Sequence, residues 1–279
     1  MTVINTNVAA TITANALTKN ERAMSQAMER LSTGQRINSA GDDAAGLAIS
    51  SRMTTYITGL DMAVRNANDA ISMIQTADGA LIEMTNMLQR MRELAVQASS
   101  GTYSATDRDA LNVEFEALTA AVEDIADDTQ WNGVSLLNGA SAFSFHVGAN
   151  ASQTISLTIA DFETEESSMT SGIFEALADA TTNNDNSGDD LDSLDVDTVN
   201  NAGTALTYIT TALGRIESHR ATLGATINRL EYAADNLANV SQNTSASRSR
   251  VLDADYASET TELARTQIIQ QAATAMLSQ

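Results

Sequence analysis

The residue types that carry out most protein chemistry are scarce in this sequence. It has no cysteine and only two histidines, His146 and His219. Neither histidine lies in an H-E-x-x-H arrangement, and there is no G-x-x-x-x-G-K-[ST] phosphate loop and no G-x-S-x-G nucleophile elbow. We therefore predict no catalytic residue, no cofactor, and no disulfide or thiolate metal site.

A run of aspartates near the middle of the chain is the one candidate metal site. Its members are Asp185, Asp189, Asp190, Asp192, Asp195 and Asp197. An EF-hand loop places oxygen ligands and a glycine at fixed positions, but here Ser187 and Leu194 occupy ligand positions and Gly188 is displaced from the required one. We predict a solvated, self-repelling loop rather than a calcium site, and no metal.

The charge balance excludes two classes of partner. The chain has 36 acidic and 15 basic residues, for a net charge of −21, whereas nucleic acids and anionic membranes attract basic surfaces. No window of 18 apolar residues predicts a membrane span, and Met1 to Leu17 lacks the basic and apolar blocks of a secretory signal. We predict no nucleic acid and no membrane partner, and repulsion between copies that salt would screen.

The absence of proline permits very long helices. Near the N-terminus, Ala10, Leu17, Met24 and Leu31 recur at seven-residue intervals, before a break rich in Ser, Thr and Gly at residues 32–41. A last amphipathic run extends from Leu252 to Leu277. Both stripes are too thin to fold alone, so these end helices need partners.

Two internal segments carry the sustained heptads of a coiled coil. The predicted seam consists of Ile74, Leu81 and Leu88, continued by Ala95, and of Ile209, Ile216, Leu223, Leu230 and Leu237. Companion positions of the first segment hold Ala77, Met84, Met91 and Ala98. In the second segment Arg220 interrupts the companion series. Its stem could lie along the seam with its head in solvent, or it could set the helix register.

Between these segments we predict a third helix and a small β element. The helix carries the stripe Leu111, Phe115, Leu118, Val122 and Ile125, with Thr106 as its cap. Alternating apolar residues at 143–147 and 155–159 predict a β-hairpin. We expect the acidic residues 161–197 to form an exposed loop with a short helix near 174–180, and removal of residues 182–192 to be tolerated.

The predicted fold is therefore mainly α, with long antiparallel coiled-coil helices from both chain ends, a small β-hairpin and an elongated rod shape. Residues 1–42 and 239–279 form the end helices, 43–160 and 198–238 the central rod, and 161–197 the variable loop. The end helices can bury their stripes only against each other or against neighbouring copies. The layout predicts self-assembly.

Seven stretches of the chain are distinctive. They are INTNVAA (4–10), ERLSTGQRINSAGDDAAGLAIS (29–50), RNANDAISMIQTADGAL (65–81), LQRMRELAVQA (88–98), QWNGVSLLNG (130–139), LGATINRLEYAADNL (223–237) and SRVLDADYASETTELARTQIIQQAATAML (249–277). In these stretches the sequence resembles bacterial flagellin. The resemblance covers residues 1–160 and 198–279. The chain departs from the family in its short middle region and at Gln279, where most flagellins continue for a short apolar stretch.

The resemblance implies a motility filament subunit that is exported unfolded by the flagellar type III system and becomes extracellular. Its expected partners are other copies of itself, the export apparatus, an export chaperone, and the hook-junction and cap proteins. In this family the end helices line the inner tube of the filament, and the hairpin region takes part in switching between protofilament states.

The resemblance also implies recognition by a host innate immune receptor, Toll-like receptor 5. Carried over by position, the receptor patch comprises Gln89, Arg90, Arg92, Glu93, Leu94, Gln97 and Glu114. The primary role expected of these residues is packing against adjacent subunits. Two other functions stay open, a hook–filament junction protein and a flagellin-like surface adhesin. The sequence holds no sign of a protease inserted in residues 161–197.

Overall fold

A computed structural model describes residues 8–139, 141–162, 191 and 194–278. Within these residues it contains α1 (Val8–Thr33), α2 (Ala44–Ala98), α3 (Ala105–Asp128), β1 (Gln130–Trp131), β2 (Val134–Ser135), β3 (Ser141–His146), β4 (Thr154–Ile159), α4 (Val199–Leu252) and α5 (Tyr256–Ser278). This confirms the predicted mainly helical fold with a small antiparallel sheet. The short helix expected at 174–180 lies outside the described residues, as do Asp185, Asp189, Asp190 and Asp192.

The chain divides into two compact units. The end unit comprises residues Met1–Leu60 and Asn239–Gln279, and the central unit comprises Asp61–Ala238. Helices α2 and α4 each contribute residues to both units, because the boundaries fall within them. None of the described helices is long and apolar enough to cross a membrane.

In the end unit, α1 and α5 pack antiparallel. The Tyr256 hydroxyl donates to the carbonyl oxygen of Leu31 at 2.8 Å, near the end of α1 and the start of α5. Farther along, the Asn20 amide donates to the carbonyl oxygen of Thr266 at 2.7 Å. Since the residue number falls on one helix as it rises on the other, these contacts fix both the direction and the register of the pair.

The two helix breaks in the end unit are joined by backbone hydrogen bonds. The Arg36 amide donates to the Leu252 carbonyl at 2.7 Å, and the Ala254 amide donates to the Gly34 carbonyl at 3.0 Å. Gly34 has a φ of 71°, a left-handed conformation that favours glycine. The predicted break at 32–41 is thus a structured corner held by the opposite break.

Helix α2 begins at a close approach that requires glycine. The Asp43 carboxylate accepts from the Gly46 amide at 2.9 Å, so Asp43 caps the helix. A Cβ on Gly46 would lie 2.5 Å from the Asp43 carboxylate oxygen and 2.6 Å from a methyl of Ile37. Any larger residue would therefore disturb the cap and the buried Ile37 together.

One continuous apolar core fills the central unit. It joins α2, α3, α4, the β3–β4 hairpin and the side chains of Leu191, Leu194 and Val196. Of the predicted seam residues, Ile74, Leu81, Leu88, Ile209, Ile216, Leu223 and Leu230 are fully buried in the structure. Leu237 is only half-buried.

The N-terminal cap of helix α3 lies two residues before the predicted one. The Ser104 hydroxyl accepts from the Asp107 amide, and the Asp107 carboxylate accepts from the Ser104 amide, which makes a capping box. The prediction of Thr106 as the cap was wrong. Ser104 and Thr106 are each followed by an aspartate three residues later, so the sequence alone offers two equivalent boxes.

Two hairpins follow α3. Asn132 and Gly133, with φ of 51° and 79°, form the turn between β1 and β2. In the larger hairpin Phe143 pairs with Leu157 and Phe145 with Ile155, which confirms the predicted alternation. The apolar face of β3 and β4 packs on the core of the central unit.

The segment expected to be an exposed loop is anchored at both of its described ends. Phe162 and Leu191 are fully buried, and Leu194 and Val196 also lie in the core. Removing residues 182–192 would therefore delete the buried Leu191, so the tolerated deletion must stop at residue 190.

Candidate assembly surfaces

The end unit leaves large apolar side chains uncovered. On α1, Ile12 is 64% exposed and Val8 is 56% exposed, and on α5 Ile268 is 67% exposed. Met28 and Ile269 are also exposed, at 46% and 43%. We call these five residues the end-helix surface. Burying an isoleucine fully is worth about 1.5–3 kcal/mol, so covering this surface would supply a substantial driving force for association.

The α1–α5 contact itself buries little. The predicted stripe residues Ala10, Leu17, Met24 and Leu31 are each only half-buried. Ala27 is the one apolar side chain of α1 that is buried among the residues described for it. Polar contacts supplement the packing, since Arg30 lies 3.0 Å from Glu259 across the pair.

The predicted receptor patch lies on α2 and α3 in the central unit. Gln89, Arg92, Glu93 and Gln97 are exposed on α2, whereas Leu94 is 1% exposed and packs inside the core. Gln97 donates from its amide to the Tyr103 hydroxyl at 3.1 Å. The structure thus brings the polar members of the patch onto one accessible surface and covers the leucine.

Arg90 links the two helices that carry the patch. It lies 2.9 Å from Glu93 on α2 and 2.8 Å from Glu114 on α3. Hydrogen bonds to Glu93, followed by those to Glu114, raise the pKa of the Arg90 guanidinium. All three side chains are about half-exposed or more, so the network orients charge and contributes little stability.

A groove between α2 and α4 adjoins the patch. Gln89, Arg92 and Glu93 line it, together with the apolar side chains Val96 and Leu213. Val96 is 51% exposed, which is unusual for a valine beside a core. This combination of an apolar strip with charged edges suits a protein partner better than a small molecule.

Arg220, the residue that interrupts the second heptad, forms an ion pair. Arg220 on α4 donates to the Asp78 carboxylate on α2 at 2.6 Å, and this contact raises the pKa of Arg220. Both side chains are about one-third exposed. The pair spans the two helices, which favours a role for Arg220 in setting register over a role as an unpaired solvent-facing charge.

Sequence reasoning missed the environment of the neighbouring histidine. The imidazole of His219 lies edge-on to the Phe162 ring, 5.4 Å between centroids, and burial lowers its pKa. Its Nε2 is buried without a hydrogen-bond partner among the described residues. No group of three His, Asp or Glu in the described part of the chain could hold a metal ion.

Comparisons with known proteins agree on one family. Residues 4–142 match the bacterial flagellin N-terminal helical region, and residues 206–279 match the bacterial flagellin C-terminal helical region. Polar flagellin F of Vibrio parahaemolyticus is 34% identical over 99% of this chain and 96% of its own length. Flagellin E of Vibrio cholerae is 35% identical over 99% of this chain and 95% of its own length.

Solved structures give a likeness at the level of fold. A Vibrio parahaemolyticus protein assigned to the flagellar hook-associated proteins covers 76% of this chain and all of its own, with a TM-score of 0.60 at 10% sequence identity. Bacillus cereus flagellin covers 62% of this chain and 88% of its own, with a TM-score of 0.47 at 29% identity.

Proposed function

Since this chain belongs to the bacterial flagellin family, and is a structural subunit of the extracellular flagellar filament rather than an enzyme, we propose that its end-helix surface is completed by neighbouring copies. The observation that carries this proposal is the exposure of Ile12 and Ile268 on helices that bury little against each other. Assembly would bury the apolar surface that a single subunit leaves exposed to water.

We assign the predicted ranges to parts of the filament on the same basis. Residues 1–42 and 239–279 would form the inner tube, and residues 43–160 and 198–238 the surrounding rod domain. Residues 161–197 would be the variable region. The contrast between the sparsely buried end helices and the continuous core around Leu81 and Leu223 supports separate end and central parts, while residues 43–60, predicted in the rod, belong to the end unit of the structure.

Polymerisation of the purified chain tests the proposal. We expect salt-induced or seeded assembly into thin tubular filaments by electron microscopy, because salt screens repulsion between subunits of net charge −21. Ile12→Asp should abolish assembly, since it places a charge in the contact. Val199→Asp is the matched control, because Val199 is 48% exposed at the start of α4 and an acidic residue is favourable there. Equal assembly of both variants would refute the proposed contact.

Secretion would follow the flagellar type III route, with the chain unfolded and accompanied by a chaperone. The hook-junction and cap proteins would be its partners at the two filament ends. Support comes from the sequence, which has no cysteine to cross-link during passage. Expression in a flagellin-deficient strain tests the route. The chain should reach the medium only when the flagellar export gate is intact, and secretion without that gate would exclude this pathway.

Recognition by Toll-like receptor 5 is a second candidate function. Its support is the exposed polar surface formed by Arg90, Glu93 and Glu114. A reporter-cell assay with purified monomer should show activation, and Arg90→Glu should raise the half-maximal dose about tenfold by replacing an attractive charge with a repulsive one. Absence of any response at a saturating dose would retire this function.

The hook–filament junction protein and the surface adhesin remain alternatives to test. The hook-associated likeness at 10% identity concerns the fold alone. In a flagellin-deficient strain, a junction protein would add only at the end of the hook and would form no filament. An adhesin would stay monomeric at every salt concentration. Long filaments in the same assays would exclude both.

A further inference from the structure

A cavity of about 360 Å³ lies between α2 and the two hairpins of the central unit. Its apolar lining comes from Ala70 and Met73 on α2 and from the aromatic rings of Trp131 and Phe145. The rings are half-buried, so each keeps some surface exposed. A slender chain with a flat polar head would fit this combination of apolar and aromatic walls.

The polar groups at the cavity define the charge it accepts. Asp69 contributes an exposed carboxylate, and Asn66, one helical turn earlier, donates from its amide to the His146 carbonyl at 3.1 Å. The Asn66 bond holds the end of β3 against α2 and leaves Asp69 available. Among the described residues that line the cavity there is no lysine or arginine, and His146 is the one basic side chain. Aromatic faces beside a lone carboxylate attract a cation and repel anions.

Arginine is the cation that this arrangement fits. Its planar guanidinium stacks on aromatic rings and pairs with a carboxylate, and its aliphatic stem packs on apolar side chains such as Met73. Lys19 is the single lysine of the sequence, so a cation presented by another copy is almost always an arginine. Arg52, Arg92 and Arg229 are exposed on their helices.

We propose that the cavity between α2 and the hairpins receives an arginine side chain from a second copy of this chain, stacked on Trp131 or Phe145 and paired with Asp69. The proposal rests on the proposed self-assembly and names one of its contacts. With 36 acidic and 15 basic residues per subunit, neighbouring copies repel each other. A contact that places scarce positive charge beside a carboxylate offsets part of that repulsion.

The chemistry of the cavity can be tested on the monomer, because Trp131 is the only tryptophan of the chain and its fluorescence reports on the cavity directly. N-acetyl-argininamide should shift the emission saturably, with a dissociation constant on the order of millimolar. The neutral isostere N-acetyl-citrullinamide should leave the emission unchanged, and added NaCl should weaken the arginine response.

A pair of matched variants isolates the carboxylate. Asp69→Asn keeps the shape of the side chain and should weaken binding of N-acetyl-argininamide about threefold. Asp109→Asn, an exposed aspartate on α3 outside the cavity, should bind as the unmodified chain does. The proposal is overturned if an uncharged probe, N-acetyl-citrullinamide or the sugar methyl glucoside, shifts the emission as strongly as N-acetyl-argininamide. It is also overturned if Asp69→Asn binds N-acetyl-argininamide as tightly as the unmodified chain.

The polymer then identifies the source of the cation. In assembled filaments the cavity should be occupied, so N-acetyl-argininamide should no longer shift the Trp131 emission, and Asp69→Asn should assemble more slowly than Asp109→Asn. An unchanged response of Trp131 in the polymer would show an open cavity and sink the proposal while leaving self-assembly intact. Failure of the chain to polymerise at all would instead refute the proposed function.

Discussion

The end unit and the central unit use the same helical material in opposite ways. Around Leu81, Leu88 and Leu223 the central unit buries side chains completely, and α3 and the hairpin complete its core. In the end unit, α1 packs on α5 through a stripe that is only half-buried, while Ile12 and Ile268 stay in water. Both regions have helical periodicity, and they differ in how many elements each helix can pack against.

This difference shows where stability resides in a subunit built for assembly. A helix flanked on two sides, as α2 is by α3 and α4, gains enough apolar burial to order itself within one chain. A helix with one thin stripe does not, and its missing contacts must come from elsewhere. The end unit therefore carries the exposed apolar surface that needs partners, and the central unit provides a stably folded body.

The largest effect should come from charging the core of the central unit. Leu223→Asp would bury an unpaired carboxylate among apolar side chains and should cost about 3–5 kcal/mol of unfolding free energy. Assembly should be lost as well. Leu237→Asp is the matched control, because Leu237 has the same heptad position but is only half-buried. If chemical denaturation showed equal destabilisation of the two variants, the contribution of a seam residue to stability would not depend on how deeply it is buried.

Hydrogen exchange should separate the two units next. In the monomer, amides of α1 and α5 should exchange much faster than those of α2 between residues 74 and 95, because few buried contacts oppose local opening of the end helices. Polymerisation should slow exchange in α1 and α5 and leave the central amides nearly unchanged. Comparable protection of all three helices in the monomer would contradict the contrast between the units.

Much of this contrast is readable in the sequence, and the failures have physical causes. Heptad spacing located the buried positions of α2 and α4 because a sustained seven-residue repeat leaves one face to bury. It also indicated a second apolar face on α2, but nothing in it distinguishes Leu94, which is 1% exposed, from Ile82, which stays 40% exposed. Which apolar residue is covered depends on how the elements pack in three dimensions.

Local chemistry proved ambiguous for a different reason. Ser104 and Thr106 offer the same capping pattern, and only the path of the chain after Gly101 selects Ser104. Similarly, Arg220 could be identified as an interruption of the seam, but its partner Asp78 lies 142 residues away. Long-range polar pairs and the surroundings of His219 have no periodic signature, so they become visible only in three dimensions.

A smaller effect is expected from the ion pair between Arg220 on α4 and Asp78 on α2. A double-mutant cycle with Arg220→Met and Asp78→Asn should give a coupling energy of about 0.5 kcal/mol, since both side chains are about one-third exposed and solvent screens them. Substitutions in the Arg30–Glu259 ion pair between α1 and α5 should change assembly more than they change the unfolding free energy of the monomer. A coupling near zero at Arg220 would leave register to the apolar seam alone.

The smallest effect should be a pH dependence confined to the central unit. Burial lowers the folded-state pKa of His219 below its ordinary value of 6.5, so the unfolded chain takes up a proton first as the pH falls. The unfolding free energy should therefore be unaffected above about pH 7 and should decline below pH 6.5, the ordinary value, as acid favours the unfolded state. His219→Gln should flatten that decline in denaturation curves recorded from pH 7.5 to 5. His146→Gln is the control, because His146 is exposed on β3. If His146→Gln flattened the curve instead, the acid sensitivity would originate in the β3–β4 hairpin and not at His219 beside Phe162.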